Sequence, residues 1–312
     1  MINCRVAFVG TPAFAVPCLQ SLAQLTGIIV VAVITQPDKP IGRHRIVMPP
    51  AVKEAAALLS IPVLQPPTIR SAEFLTVFRD LNLDLAVIVA YGKIVPLQLL
   101  AVPRHGWVNM HASLLPRYRG ASPIQAAVLN GDTETGVTAM QLDAGLDTGP
   151  ILSQRKVPIG SVETANSLHD KLAAISAQLL TEILPPYLAG SVQPHAQPTG
   201  NYTTTKPVQS SDGRIDWQRS ADYIERQIRA YNPTPGTYCS WGSRRLKILY
   251  ATVAATTGQD SAGQVHYENS HLTVRCGRGT LEVQSLQLEG KKSLQPAQFI
   301  AGYPKFSNAQ LS

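Results

Sequence analysis

The sequence predicts a doubly wound, mostly parallel α/β domain followed by a small β-barrel, and three observations carry that prediction. Residues 1–189 alternate between short apolar, β-branched runs and helical patterns, as strands buried on both faces beneath crossover helices do. Composition then shifts to Pro, Gly, Thr and Ser over 185–212, which reads as chain laid over a surface. Beyond about Arg214, five short alternating runs separated by turn residues appear, as a small barrel requires. A chain of 312 residues can support two such cores. The expected division is a first domain over 1–189, a linker over 190–208 and a C-terminal barrel domain over 209–312.

In chain order, CRVAFVG (4–10) is a buried strand ending in a Gly-Thr-Pro turn that opens a helix from Ala13 to Leu25. One glycine there is not the GxGxxG fingerprint, and no acidic residue follows where a ribose needs it, so a dinucleotide site is not expected. IIVVAVIT (28–35) is the second strand. The segment 36–50 then leaves regular structure: four prolines with Lys39, Arg43, His44 and Arg45 make it too long and too basic for a simple connector. A helix over 51–59, the strand PVLQ, a helix over 71–81 and a strand within 84–91 restore the alternation. A long helix runs from 164 to 184, its apolar residues recurring at helical spacing. In the last third, a helix over 220–231 ends at NPTPG, and TYCSW, RLKILYATVA, GQVHY, LTVRC and LEVQSLQL are the barrel strands. Ligands of open α/β sheets bind outside the carboxyl ends of the strands, which would gather Ala90–Gly92, Asn109–Pro116 and Asp143–Gly149 at one place.

Composition narrows the class. With 45% hydrophobic residues, 15% charged and a mean hydropathy of +0.03, the chain has the make-up of an ordinary globular protein. No apolar run approaches the ~18 residues of a membrane span, and MINCRVAFVG carries no leader signal, so a cytoplasmic protein with no membrane partner is expected. The four cysteines lie far apart without metal-ligand spacing, which points to reduced, buried thiols and no metal. The formal net charge of +7 is uneven: residues 1–205 hold 14 Lys/Arg against 12 Asp/Glu, residues 206–312 hold 13 against 8. A basic C-terminal third suits a polyanion such as RNA, and equally a merely basic domain.

The chemistry concentrates in WVNMHASLLPRYRGASPIQ (107–125). Side chains two apart on a strand share a face, so Asn109 and His111 emerge together. Downstream, LDAGLDTGP (142–150) sets Asp143 and Asp147 in a glycine-punctuated loop. An amide, an imidazole and a carboxylate beside strand ends can polarise a carbonyl and manage a proton. Ser113 lacks a base in a nucleophile-elbow context, so a serine hydrolase is not supported. Arg117 and Arg119 are open to two readings, as contacts to anionic groups or as solvated side chains.

These stretches resemble the folate-dependent formyltransferase family, whose motif reads Asn-x-His…Ser-Leu-Leu-Pro…Arg-Gly…Asp-x-Gly-Leu-Asp-Thr-Gly, and the likeness runs along nearly the whole chain. Within the family the similarity is to the members acting on methionyl-tRNA. The resemblance implies a formyltransferase fold with an OB-like barrel behind it, 10-formyltetrahydrofolate as formyl donor and initiator methionyl-tRNA as acceptor. It implies Asn109, His111 and Asp147 as catalytic residues, and Ser113, Leu114, Leu115 and Pro116 as the folate pocket. It further implies tRNA contacts from Arg43, flanked by Lys39 and Arg45, and from Lys206, in a monomer. Three departures stand out: Ala112 where glycine is frequent, a single Lys206 in a linker segment that is usually more basic, and Thr234 where a Trp is often found. A purine precursor or nucleotide-sugar acceptor and a formyltetrahydrofolate hydrolase are alternatives on the same fold. An RNA-binding protein with a decayed catalytic domain is the alternative from another class. The basic C-terminal domain, the 36–50 segment with GASPIQ, and the intact trio argue against these in turn.

Overall fold

A computed structural model describes residues 4–41, 45–254 and 260–312. Its Cα positions divide into two compact units. One holds the described residues up to Pro123 with Glu134–Pro158 and His169–Thr205; the other holds Ile124–Thr133, Ile159–Leu168 and the described residues of Lys206–Ser312.

The first unit opens with β1 (Cys4–Gly10), a 3₁₀ turn at Ala13–Ala15 and α1 (Val16–Gln24), then β2 (Ile28–Ile34). The single helix expected over 13–25 is thus split. Pro17, in the first turn of α1, lacks the N–H that an unbroken α-helix from Ala13 would need from it. The segment read as irregular, 36–50, contains a hairpin: β3 (Lys39–Ile41) pairs antiparallel with β4 (Ile46–Met48), despite its prolines, because an isolated two-stranded ribbon leaves a prolyl nitrogen facing solvent. There follow α2 (Ala51–Leu58), β5 (Val63–Leu64), α3 (Ala72–Asp80), β6 (Leu85–Val89), α4 (Leu97–Leu100), β7 (Trp107–His111) and β8 (Arg119–Gly120). Ser71 caps α3 by accepting from the Phe74 amide at 3.2 Å. Next come α5 (Pro123–Asn130), which from Ile124 on belongs to the second unit, then β9 (Glu134–Gln141), β10 (Ile151–Pro158), α6 (Ala165–Leu188), in this unit from His169 on, and β11 (Thr204–Thr205).

Seven of these strands form one sheet in the order β10-β9-β7-β6-β1-β2-β5. Pairs from β5 through β7 are parallel, whereas β9 runs antiparallel to β7 and β10 antiparallel to β9. The chain winds outward from β1 to β5 and then restarts at β6 on the other side of β1. That reversal opens the crevice in which such sheets hold ligands. The central strands are apolar throughout, as in β6, where all five residues are buried. Trp107 stacks on Phe78 with centroids 5.5 Å apart and donates its indole N–H to Leu99 O at 3.0 Å, which seats the start of β7. Helix α6 runs past the predicted end at 184 through Pro185 and Pro186. Tyr187 rewards the extra turn, because its hydroxyl donates to His105 O at 2.6 Å and accepts from Gln141 Nε2 at 2.8 Å.

In the second unit, α7 (Ala221–Tyr231) precedes β12 (Thr237–Trp241), β13 (Arg244–Ala254), β14 (Val265–Glu268), β15 (His271–Arg275) and β16 (Thr280–Leu288), with α8 (Pro296–Gly302) near the end. The antiparallel order is β12-β13-β16-β15-β14. The terminal residues close the ring: Val265 N–H donates to Ala309 O at 2.9 Å and Leu311 N–H to Gly263 O at 2.9 Å, while Ser312 and Ser240 exchange bonds of 2.6 and 3.1 Å. The two edge strands are thereby bridged by one short tail, as a small barrel needs. Its interior is apolar, with Ile224, Leu246, Val265, Leu281 and Phe306 essentially inaccessible.

Candidate functional site

Strand β7 lies between β6 and β9, with Ile88 beside Asn109 on one flank and Thr138 beside His111 on the other. Alternation along the strand puts Asn109, half-buried, and His111, buried, on the same face toward the strand's carboxyl end. There the loop joining β9 to β10 brings in Asp147. Asn109 Nδ2 lies 3.4 Å from Asp147 Oδ1, and His111 Nδ1 lies 3.6 Å from Asp147 Oδ2. His111 is 7% exposed and Asp147 14%, so the carboxylate and ring meet largely out of water, where their interaction is little screened.

The histidine's other nitrogen fixes its tautomer. His111 Nε2 is 2.9 Å from Tyr118 O, and a carbonyl oxygen only accepts, so Nε2 carries the proton. Nδ1 is left as the nitrogen through which a proton is gained or lost, and it is the one facing Asp147. Asp147 itself is held by a 2.7 Å bond from the Gly120 N–H to Oδ2. Its backbone sits at φ +51°, the left-handed region that a non-glycine residue occupies only when its surroundings hold it there. Asp143, by contrast, spends its carboxylate on Thr148 Oγ1 at 2.7 and 2.8 Å and on the Gly145 N–H at 3.0 Å, within its own loop.

Ser113–Pro116 forms a tight turn at the end of β7 with a cis peptide at Leu115–Pro116. Ser113 is fully buried and its hydroxyl donates to Arg117 O at 2.6 Å. Leu115 is also buried, its N–H donating to Thr138 Oγ1 at 3.1 Å and its carbonyl accepting from Gln154 Nε2 at 2.9 Å. Leu114 and Pro116 remain half-buried. Arg119, open at the level of sequence, is engaged inside the protein: Nε and Nη2 donate to Gln197 Oε1 at 3.1 and 2.7 Å, and the guanidinium stacks 5.0 Å from the Tyr202 ring.

Arg43 lies outside the described residues. Lys39 is exposed, and its Nζ donates to Gln36 Oε1 at 2.6 Å; Gln36 in turn donates to Tyr91 O at 2.7 Å, at the end of the strand beside β7. Arg45 is exposed in the hairpin turn and Lys206 is exposed just after β11. Among the described residues, no group of His, Cys, Asp and Glu could hold a metal, and no helix is long and apolar enough to cross a membrane. The residues that sequence reasoning missed are Thr138, Gln154, Gln197 and Gly120. They stand on other strands and loops and carry no motif of their own, so no local signal marks the first three. Gly120 could have been suspected from its place in the Arg-Gly element of the motif.

Residues 4–184 match the formyl transferase family, and residues 207–304 match the formyl transferase C-terminal domain. A methionyl-tRNA formyltransferase of Geobacter sulfurreducens is 43% identical over 304 residues, covering 97% of this chain and 95% of that protein. One of Xanthomonas euvesicatoria pv. vesicatoria is 44% identical over 299 residues, covering 95% of this chain and 96% of that protein. Among solved structures, an N-formyltransferase from Helicobacter canadensis in complex with folinic acid and dTDP-3-aminofucose aligns with a TM-score of 0.64 at 19% identity, over 91% of this chain and 99% of that one, a likeness of fold alone.

Proposed function

The chain belongs to the formyl transferase family, and from that premise we propose that it moves a formyl group from 10-formyltetrahydrofolate to the α-amine of methionyl-initiator tRNA. It is a formyltransferase, and relatives named for methionyl-tRNA across nearly its full length support that acceptor. The observation that carries the mechanism is the single carboxylate of Asp147 set beside both Asn109 and His111 at a strand end.

The attacking group is the acceptor's own amine, whose ordinary pKa of roughly 7.7–8.0 leaves a usable neutral fraction at physiological pH. No covalent nucleophile is needed. Asn109 Nδ2 carries two protons; one is directed at Asp147, which leaves the other to donate to the oxygen on which negative charge develops. His111 faces the same place with Nδ1, which, with Nε2–H spent on Tyr118 O, becomes a second donor only when the ring is protonated and then brings positive charge as well. Asp147 orients that nitrogen and assists removal of the amine's proton. Ser113–Pro116 is proposed as the folate pocket, with Leu114 and Pro116 offering apolar surface to a flat ring and Ser113 and Leu115 holding the turn beneath. Lys39, Arg43, Arg45 and Lys206 are proposed as tRNA contacts. A monomeric, cytoplasmic enzyme divided as 1–189, 190–208 and 209–312 completes the proposal.

The test is acceptor competition: the protein is incubated with 10-formyltetrahydrofolate and charged initiator tRNA, a nucleotide amino-sugar or a purine-precursor amine. Only the tRNA should be formylated; formylation of a rival instead would overturn the assignment. Asn109→Ala, His111→Ala and Asp147→Ala should each lower kcat by about 10²–10³ with the fold intact, the usual cost of losing one such donor. A folded His111→Ala protein with near-normal turnover would remove His111 from the mechanism.

A further inference from the structure

Asp147 acts in the mechanism above through one carboxylate at one angle, and the bonds within its own loop run from Asp143 to Gly145 and Thr148 rather than to Asp147. The loop is exposed from Asp143 to Leu146, and Asp147 sits at a positive φ. What holds it comes from 50 residues away. Gln197 is 9% exposed, and its amide nitrogen donates to Asp147 O at 2.7 Å and to Gly149 O at 2.9 Å. Its amide oxygen accepts from Nε and Nη2 of Arg119. Two N–H protons and two lone pairs are the full capacity of the group, and all four are used. The amide cannot flip without setting its oxygen against two carbonyls and its nitrogen against a guanidinium.

The same stretch of chain also secures the donor on the carboxylate. His195 bridges Ile151, and Thr203 Oγ1 accepts from the Tyr118 N–H at 2.8 Å. β11 runs parallel to β8, with Thr205 beside Gly120. Gly120 is the residue whose N–H donates to Asp147 Oδ2. Residues 195–205 thus reach Asp147 twice, at its backbone through Gln197 and at its carboxylate through β8.

We infer that Gln197 is a positioning residue for proton transfer, holding the Asp147 backbone so that its carboxylate stays on Asn109 and His111. The inference rests on the reading of Asp147 as the group that assists the proton. A displacement of about 1 Å at such a carboxylate costs on the order of 10²-fold in rate, while substrate binding is made elsewhere. The expected signature is therefore a loss in kcat without a loss in KM.

Two variants isolate the donors. Gln197→Met keeps length and packing without hydrogen bonds, and Gln197→Glu keeps an oxygen for Arg119 but has no proton for the two carbonyls. In both, kcat should fall about 10–100-fold, with KM for 10-formyltetrahydrofolate and for charged tRNA within about twofold. Hydrogen exchange of the peptide containing Gly120 should speed about tenfold or more as its acceptor moves. This second measurement does not depend on turnover: if the wild-type protein does not formylate charged tRNA, the functional assignment falls, and the Gly120 exchange still decides the positioning. Should Gln197→Met fail to fold, Arg119→Leu, which frees the amide to turn, should give the same kcat loss in smaller measure. A folded Gln197→Met protein with wild-type kcat and wild-type Gly120 protection overturns the inference, as does a loss confined to KM.

Discussion

Replacing Gly120 by alanine tests how tightly residues 195–205 and the site are joined. Gly120 has φ +104°, and a Cβ there would meet Thr205 O at 2.4 Å and Thr205 Oγ1 at 3.3 Å. The backbone conformation alone costs a non-glycine residue about 1–3 kcal/mol. The contact is with backbone, so it is relieved only by moving β11 away from β8. That movement endangers the bonds from Arg119 N–H to Thr203 O at 2.8 Å and from Ala121 N–H to Thr205 O at 3.4 Å, each worth about 1 kcal/mol. The total is about 3–5 kcal/mol. Gly27 provides the control within the same unit: it has φ +83° and nothing within 4 Å of an added Cβ, so Gly27→Ala carries only the conformational cost. The difference of about 2 kcal/mol corresponds to roughly 4–8 °C in melting temperature for a unit of this size. Thermal melts of the two variants, with kcat on each below its transition, read both halves of the argument. Gly120→Ala should melt lower and lose turnover because its N–H no longer meets Asp147; Gly27→Ala should keep turnover. Equal melting shifts, or a Gly120→Ala enzyme with wild-type kcat, would refute the reasoning.

Other outcomes follow from charge and burial. Arg43→Glu should raise the KM for charged tRNA and leave folate binding intact, and Arg45→Gln should flatten the salt dependence of tRNA binding by about 0.9 in log–log slope, one phosphate contact; identical salt series for wild type and variants would make the hairpin a bystander. Burial pushes the Cys18 thiol from 9.0 to about 12, and Cys239 likewise to about 12. A thiol whose pKa is raised by folding contributes stability that is whole below the unfolded value and is lost as pH climbs toward the folded one. Each should therefore cost about 1.4 kcal/mol of stability by pH 10. Urea unfolding at pH 7 and pH 10 measures it, and Cys18→Ala should shrink the pH-dependent drop by about that amount; an unchanged drop would contradict the burial argument.

Much of the fold was legible because its causes are local. A parallel strand reads as a near-continuous β-branched run, and IIVVAVI (28–34) is a strand, buried from Ala32 to Ile34. The barrel strands announced themselves by alternation. The hairpin at 39–48 was missed because its stability comes from pairing across a turn, which short strands rich in proline do not signal. The final turn of α6 was missed because two prolines forbid it locally, and the tertiary bonds of Tyr187 favour it.

For the site the division is sharper. Asn109 and His111 are two apart on a strand, so their shared face follows from the period of the backbone and needs no tertiary information. Asp147 was marked by its motif, and the distances of 3.4 and 3.6 Å that join it to them exist only because the loop that leaves β9 beside the start of β7 folds back along that strand to Asn109 and His111. Which nitrogen of His111 exchanges a proton was decided by a carbonyl seven residues on, at Tyr118. The hold on Asp147 was decided by Gln197, in a stretch that composition described only as surface chain. Residue type and backbone period are written in the order of amino acids. The angle at which a side chain is held depends on partners the chain must fold to meet, and those partners need only be glutamine, threonine or glycine, residues too common to carry a signal of their own.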